Sequence, residues 1–115
     1  MTNHEMISYE DFTKPDIRVG QIIEAEDLPK ARNPSFKLTI NFGATLGERI
    51  SCAQLTENYT PQKLVGMLVL GVVNLPPMRI AGVESTVLTL GAKDEAGHCV
   101  LATVERDAVV GGQIY

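Results

Sequence analysis

The clearest pattern in this chain is a strict two-residue alternation in Phe36-Lys37-Leu38-Thr39-Ile40-Asn41-Phe42. A period of two puts Phe36, Leu38, Ile40 and Phe42 on one face of a strand and Lys37, Thr39 and Asn41 on the other. A turn over Gly43–Gly47 and a second strand over Glu48–Ala53 then predict a hairpin. Upstream, Ile17–Ile23 begins by alternating and becomes apolar on both sides. Downstream, Leu68–Asn74 reads as a strand buried on both faces, with Gly71 marking a bulge or a close backbone approach. Strands Ser85–Leu90 and Cys99–Val104 flank a turn at Asp94–Gly97, while Asp27–Pro34 and Pro76–Gly82 read as loops.

Helical signals are short. Ser8 can cap a first helix, answered by Asp11 as in a capping box, and Thr13-Lys14-Pro15 stops it. Thr60 and Pro61 start a second helix that Gly66 ends. Five or six short strands with a helix between the third and fourth predict an all-β domain with short helices. The expected architecture is a five-stranded OB-fold barrel with N- and C-terminal extensions. The chain carries no repeat or linker, so residues 9–115 are read as one domain behind a flexible N-terminus, 1–8.

Composition narrows the function. With 115 residues, 44% hydrophobic and no Trp, the core must come from Val, Leu and Ile. A net charge of −4 argues against broad, sequence-blind attachment to nucleic acid, leaving only a local basic face. Cys52 and Cys99 sit in apolar runs and are expected to be buried as small hydrophobes. The polar start, Met1 to Glu5, does not resemble a secretory signal, and the apolar stretch Leu64–Leu75 is too short to span a bilayer. A cytoplasmic protein without membrane insertion is expected.

Candidate chemistry is sparse. Gly111-Gly112 lacks the Lys-Ser/Thr of a phosphate loop, and no nucleophile elbow surrounds Ser51 or Ser85. His4 and His98 have no partners at ligand spacing, and Asp94, Glu95, Glu105 and Asp107 read as solvated carboxylates. No catalytic residue, metal or cofactor is expected. A binding face is better supported: Lys37, Thr39 and Asn41 on the polar side of the alternating strand, Lys30 and Arg32 in the loop before it, and Arg79 in a later loop. In OB-folds the second and third strands and the neighbouring loops form the ligand surface.

Several segments resemble one family. Asp16-Ile17-Arg18-Val19-Gly20 is similar to the opening of the tRNA-binding OB domain attached to methionyl-tRNA synthetases. Lys30–Leu38, Ser51–Leu55 and Val73–Arg79 resemble its free-standing branch, the CsaA-type export-related chaperones. The resemblance runs from Tyr9 to Ile114. It implies an OB-fold homodimer joined through the chain ends, with Met6, Ile7, Tyr9, Phe12, Val109, Val110, Ile114 and Tyr115 as the expected interface. For tRNA or other structured RNA it implies Lys30, Arg32, Lys37, Asn74, Arg79 and Ser85. The chain lacks the Lys that usually neighbours Arg79 and has Ser85-Thr86-Val87-Leu88 where tRNA-binding members have Ser-Gln-Gly-Met. For unfolded precursor proteins, the CsaA resemblance implies an apolar groove, with Phe36, Met78, Ile80 and Leu88 as candidates. The residues alone leave open whether RNA or peptide is held.

Overall fold

A computed structural model describes residues 4–115; the first three residues of the expected flexible N-terminus lie outside them. Ser8 caps helix α1 (Tyr9–Thr13), its hydroxyl accepting from the Asp11 amide at 3.1 Å while its own amide donates to the Asp11 carboxylate at 3.2 Å. The capping box expected from the sequence is therefore present.

The long strand β1 (Ile17–Asp27) organises the domain. Its first half pairs antiparallel with β4 (Leu68–Val72) and its second half with β2 (Phe36–Asn41), which pairs in turn with β3 (Glu48–Ala53). The register slips between Ile22 and Glu24, and a bulge of this kind bends and twists a strand. That bend lets one strand serve both halves of a curved sheet ordered β3-β2-β1-β4-β7, with β7 at Leu88–Thr89. A four-residue turn of helix, α2 (Gly43–Leu46), links β2 to β3. Helix α3 (Pro61–Leu64), capped by Thr60, links β3 to β4. The all-β, OB-type barrel predicted from the pattern is the observed fold.

The alternating strand behaves as its pattern requires. Phe36, Leu38 and Ile40 are buried and join Ile22, Phe42, Leu55, Leu64 and Val69 in the core. Where the barrel walls converge there is no room for side chains. A Cβ on Gly20 would lie 2.5 Å from Ile40 Cγ2, and one on Gly71 2.8 Å from Val87 Cγ2. Of the two roles open to Gly71, close approach is the one observed, since the β1–β4 register runs unbroken past it.

The second half of the chain departs from the expected outline. Pro76–Gly82 was expected as a loop, but Met78–Ile80 (β5) pairs with Val83–Ser85 (β6) as a hairpin. Its turn holds Ala81 at φ 50°, a conformation that alanine does not advertise in a sequence. The single strand expected over Ser85–Leu90 is split into β6 and β7, because Thr86 turns its backbone toward β3. Gly91–Lys93 (β8) pairs with Cys99–Leu101 (β9), which stops short of the expected Val104. β1 extends four residues past Ile23, into the segment expected as a loop. Cys52 and Cys99 are free and only partly buried, because both line a gap in the barrel wall, although Cys99 also packs against the core.

The C-terminal tail is docked. Gly111 N donates to Val19 O at 2.7 Å, Val19 N to Gly112 O at 2.9 Å and Ile114 N to Ile17 O at 2.8 Å. It occupies the side of β1 that β2, whose pairing starts at Gln21, leaves bare.

Candidate binding surface

The cations expected to meet RNA are spread over separate elements. Lys30 and Arg32 are exposed on the loop between β1 and β2, where Arg32 lines a shallow hollow of about 280 Å³ with Asp27. Lys37 projects from the outer face of β2, in register with Glu26 on β1 and Cys52 on β3, and its ammonium lies 3.5 Å from the Glu26 carboxylate. Arg79 is exposed on β5 directly opposite Glu84 on β6. A carboxylate thus stands beside Lys37 and another across from Arg79, which weakens the pull of either on a phosphate.

Two polar candidates are engaged within the fold. The Asn74 side chain accepts from the Asp16 amide and donates to the Lys14 carbonyl, both at 2.8 Å, pinning the N-terminal arm to the end of β4. The Ser85 hydroxyl accepts from the Cys52 amide at 3.4 Å and can donate to the Ile50 or Val87 carbonyl. Both residues position backbone.

The apolar candidates divide. Met78, Ile80 and Leu88 line one groove of about 380 Å³, and Met78 and Leu88 are 63% and 51% exposed. Phe36 does not join them. Its side chain points into the core at 4% exposure, as its place in the alternating strand dictates, so it presents no surface to a peptide. Sequence reasoning missed Leu75, Pro76, Pro77 and Cys52, which line the groove together with Ser85, Thr86 and Val87. The signal was the run Leu75-Pro76-Pro77, a stiff apolar segment that cannot continue a strand.

A second hollow of about 270 Å³ lies alongside, between the end of β3 and β9, and shares Cys52 and Leu88 with the groove. No charged residue lines either cavity. Burial pushes the Cys52 thiol above its usual range, offset in part by the charge of Lys37. Cys52 is therefore a neutral wall.

The two chain ends meet. Tyr9 and Phe12 of α1 line a hollow of about 240 Å³ with Ile114 and Tyr115 of the tail. Met6, Ile7 and Val109 are also exposed, Tyr115 is 99% exposed, and Val110 is partly buried against the turn at Gly43. Among the described residues no group of three or more His, Cys, Asp or Glu side chains could hold a metal, and no helix is long and apolar enough to cross a membrane.

Comparison with known proteins places this geometry. The tRNA_bind family model, a tRNA binding domain, matches residues 17–113. The methionine–tRNA ligases of Archaeoglobus fulgidus and Porphyromonas gingivalis are 38% and 36% identical over 99% and 96% of this chain. The chain spans only 17% and 16% of those relatives' length. Among solved structures, the CsaA chaperone of Picrophilus torridus superposes with a TM-score of 0.89 at 43% identity, covering 96% of this chain and all of that one. The CsaA chaperone of Bacillus anthracis gives 0.89 at 41%, also over 96% of this chain and all of that one. The methionyl-tRNA-synthetase-related protein of Pyrococcus horikoshii gives 0.85 at 28%, over 97% of this chain and all of that one. By its family match, its barrel and its likeness over nearly the full length, the chain belongs to the tRNA-binding domain family, in the CsaA-type branch.

Proposed function

We propose that this protein is a non-enzymatic holding protein of the CsaA type, a chaperone for secretory precursors that also has tRNA-binding capacity. The observation that carries the chaperone reading is the uncharged groove walled by Met78, Ile80 and Leu88. Exposed apolar side chains that line a concavity gain by covering one another with a partner's apolar surface, at about 25 cal/mol per Å². The likeness to the two CsaA chaperones supports the same reading.

A second reading, tRNA-shape recognition without a chaperone role, is favoured by the family match and by Lys30, Arg32 and Arg79, all exposed. Either activity fits a cytoplasmic homodimer built on α1 and the tail, since a two-fold axis would use that exposed apolar patch twice.

One titration separates the readings. Binding of an unfolded precursor peptide and of tRNA is followed by fluorescence anisotropy across a salt series. The peptide should bind with little salt dependence. The tRNA affinity should fall steeply, because each neutralised phosphate releases counterions. A protein that binds tRNA but no peptide under any salt would leave only the second reading. Sedimentation of Phe12→Asp and Val109→Asp tests the dimer: both should run as monomers, and a dimer unaffected by both would remove the terminal interface.

A further inference from the structure

The two cavities meet at a stretch of sheet edge whose backbone is unsealed. Ile50 turns both backbone groups away from β2, its carbonyl accepting from Thr86 N at 2.8 Å and its amide donating to Thr86 Oγ1 at 3.3 Å. Cys52, two residues on, turns its amide the same way, toward Ser85 Oγ. Within a strand, a residue's N–H and C=O point to the same side, so the Cys52 carbonyl also faces outward. Among the described residues no donor meets that carbonyl, and the Gln54 amide that follows meets no acceptor. The seam that closes the barrel at Ile50 therefore opens at Cys52.

An open edge with an acceptor and a donor two residues apart is a template for one more extended chain. Its surroundings are already furnished. The groove of Met78, Ile80 and Leu88 and the hollow of Leu55, Cys99 and Leu101 both reach Cys52. Cys52 and Leu88 belong to both. Charge selects the occupant. A nucleic-acid backbone needs cations along its path, and neither cavity wall carries a charged group.

We propose that the edge of β3 at Cys52–Gln54 binds an extended, uncharged, apolar polypeptide segment by strand addition. The segment donates one amide to the Cys52 carbonyl, accepts from the Gln54 amide through one carbonyl, and seats side chains in the two cavities. This rests on the peptide-holding reading and specifies how the peptide is read: through its main chain. The protein then gains tolerance of sequence, since every peptide offers the same backbone groups and only the pockets ask for apolar side chains.

The test is an N-methyl scan. A fluorescent peptide of uncharged residues alternating apolar and polar is titrated onto the full chain, then compared with versions bearing one backbone N-methyl each. A methyl on the amide that meets Cys52 should weaken binding about tenfold, the worth of a hydrogen bond plus a steric block, while methyls on amides facing away should be tolerated. Gln54→Pro, which removes the amide donor, should cost a similar factor with the circular dichroism spectrum unchanged. Hydrogen exchange at the Gln54 amide should slow when peptide is bound. If the parent peptide binds but the scan is flat and Gln54 exchange is unaltered, strand addition is wrong and the groove holds side chains alone. Failure of the parent peptide to bind would remove the holding reading itself, and this inference with it. Slowing of Gln54 exchange by tRNA alone, lost at high salt, would assign the edge to RNA and overturn the proposal.

Discussion

The barrel has two walls joined by different means. On one side β1, β2 and β3 are paired residue by residue, from Phe36 opposite Ala53 to Asn41 opposite Glu48. On the other, β3 meets the 85–89 segment through a single backbone bond among the described residues, Thr86 N to Ile50 O, and otherwise through hydroxyls. Thr86 Oγ1 and Ser85 Oγ take the Ile50 and Cys52 amides, and Thr89 Oγ1 donates to Ser51 Oγ at 2.8 Å. A ladder repeats its bonds and excludes a competitor; isolated hydroxyls satisfy single groups and leave gaps. The sealed wall supplies Ile22, Phe36, Leu38 and Ile40 to the core, and the sewn wall carries the two cavities that share Cys52 and Leu88. Stability and recognition are thus separable by position.

The largest effect is expected on the sealed wall. Leu38→Ala empties a fully buried site in the middle of β2 and should cost about 3 kcal/mol in urea unfolding. Met78→Ser, on the sewn side, should change stability by no more than about 0.5 kcal/mol and weaken peptide binding by about tenfold, as loss of one well-covered side chain would. If Met78→Ser unfolds the protein as Leu38→Ala does, the two walls are not separable. Gly71→Ala comes next. Its new Cβ would meet Val87 Cγ2 at 2.8 Å and Phe42 Cζ at 3.0 Å, so it presses the two walls apart where they converge. Overpacking of this kind should cost about 2 kcal/mol, with part of the loss visible as faster exchange at the Thr86 amide.

The same division governs what could be foreseen from the chain. The sealed wall was legible because each signal there is local: the period of Phe36–Phe42, the turn at Gly43 and the return at Glu48 each specify their own neighbours. The sewn wall was not, since its elements are two or three residues long and held by contacts remote in sequence. Ser85 and Asn74 show the cost of reading residues singly. Each has a polar side chain that the family resemblance made a ligand contact, and each spends it on backbone more than thirty residues away. Phe36 was misplaced for the opposite reason: its own alternation already put it in the core. Met78, Ile80 and Leu88 do share one groove, but its Leu75-Pro76-Pro77 rim escaped notice because prolines read as a loop first.

A smaller effect tests the seam directly. Ser85→Ala removes the acceptor for the Cys52 amide and should cost about 1 kcal/mol. It also frees that amide beside the open Cys52 carbonyl, so peptide affinity should hold or rise while stability falls. Loss of both together, measured by unfolding and anisotropy on the same sample, would mean that Ser85 shapes the cavity and not only the seam.

The smallest effect lies outside both walls, in the arm that Asn74 pins. The Asp11 carboxyl is held below its ordinary value of 3.8, chiefly by the Lys14 ammonium and then by the Ser8 amide and hydroxyl. A carboxylate whose folded value is depressed stabilises the fold fully above its unfolded value, and that contribution is lost as pH falls through the folded one. Helix α1 should therefore keep its capping box from neutral pH down to about the ordinary carboxylate value and release it below, while the barrel core, which has no part in that bond, stays folded. The Ser8 and Asp11 amide resonances, followed by NMR on acidification, should shift together before the resonances of β2 move. In Asp11→Asn the early transition should vanish and leave the later one in place. An early transition that survives in Asp11→Asn would assign the acid sensitivity to another carboxylate and leave the arm held by Asn74 alone, a side-chain attachment of the same kind as the sewn wall.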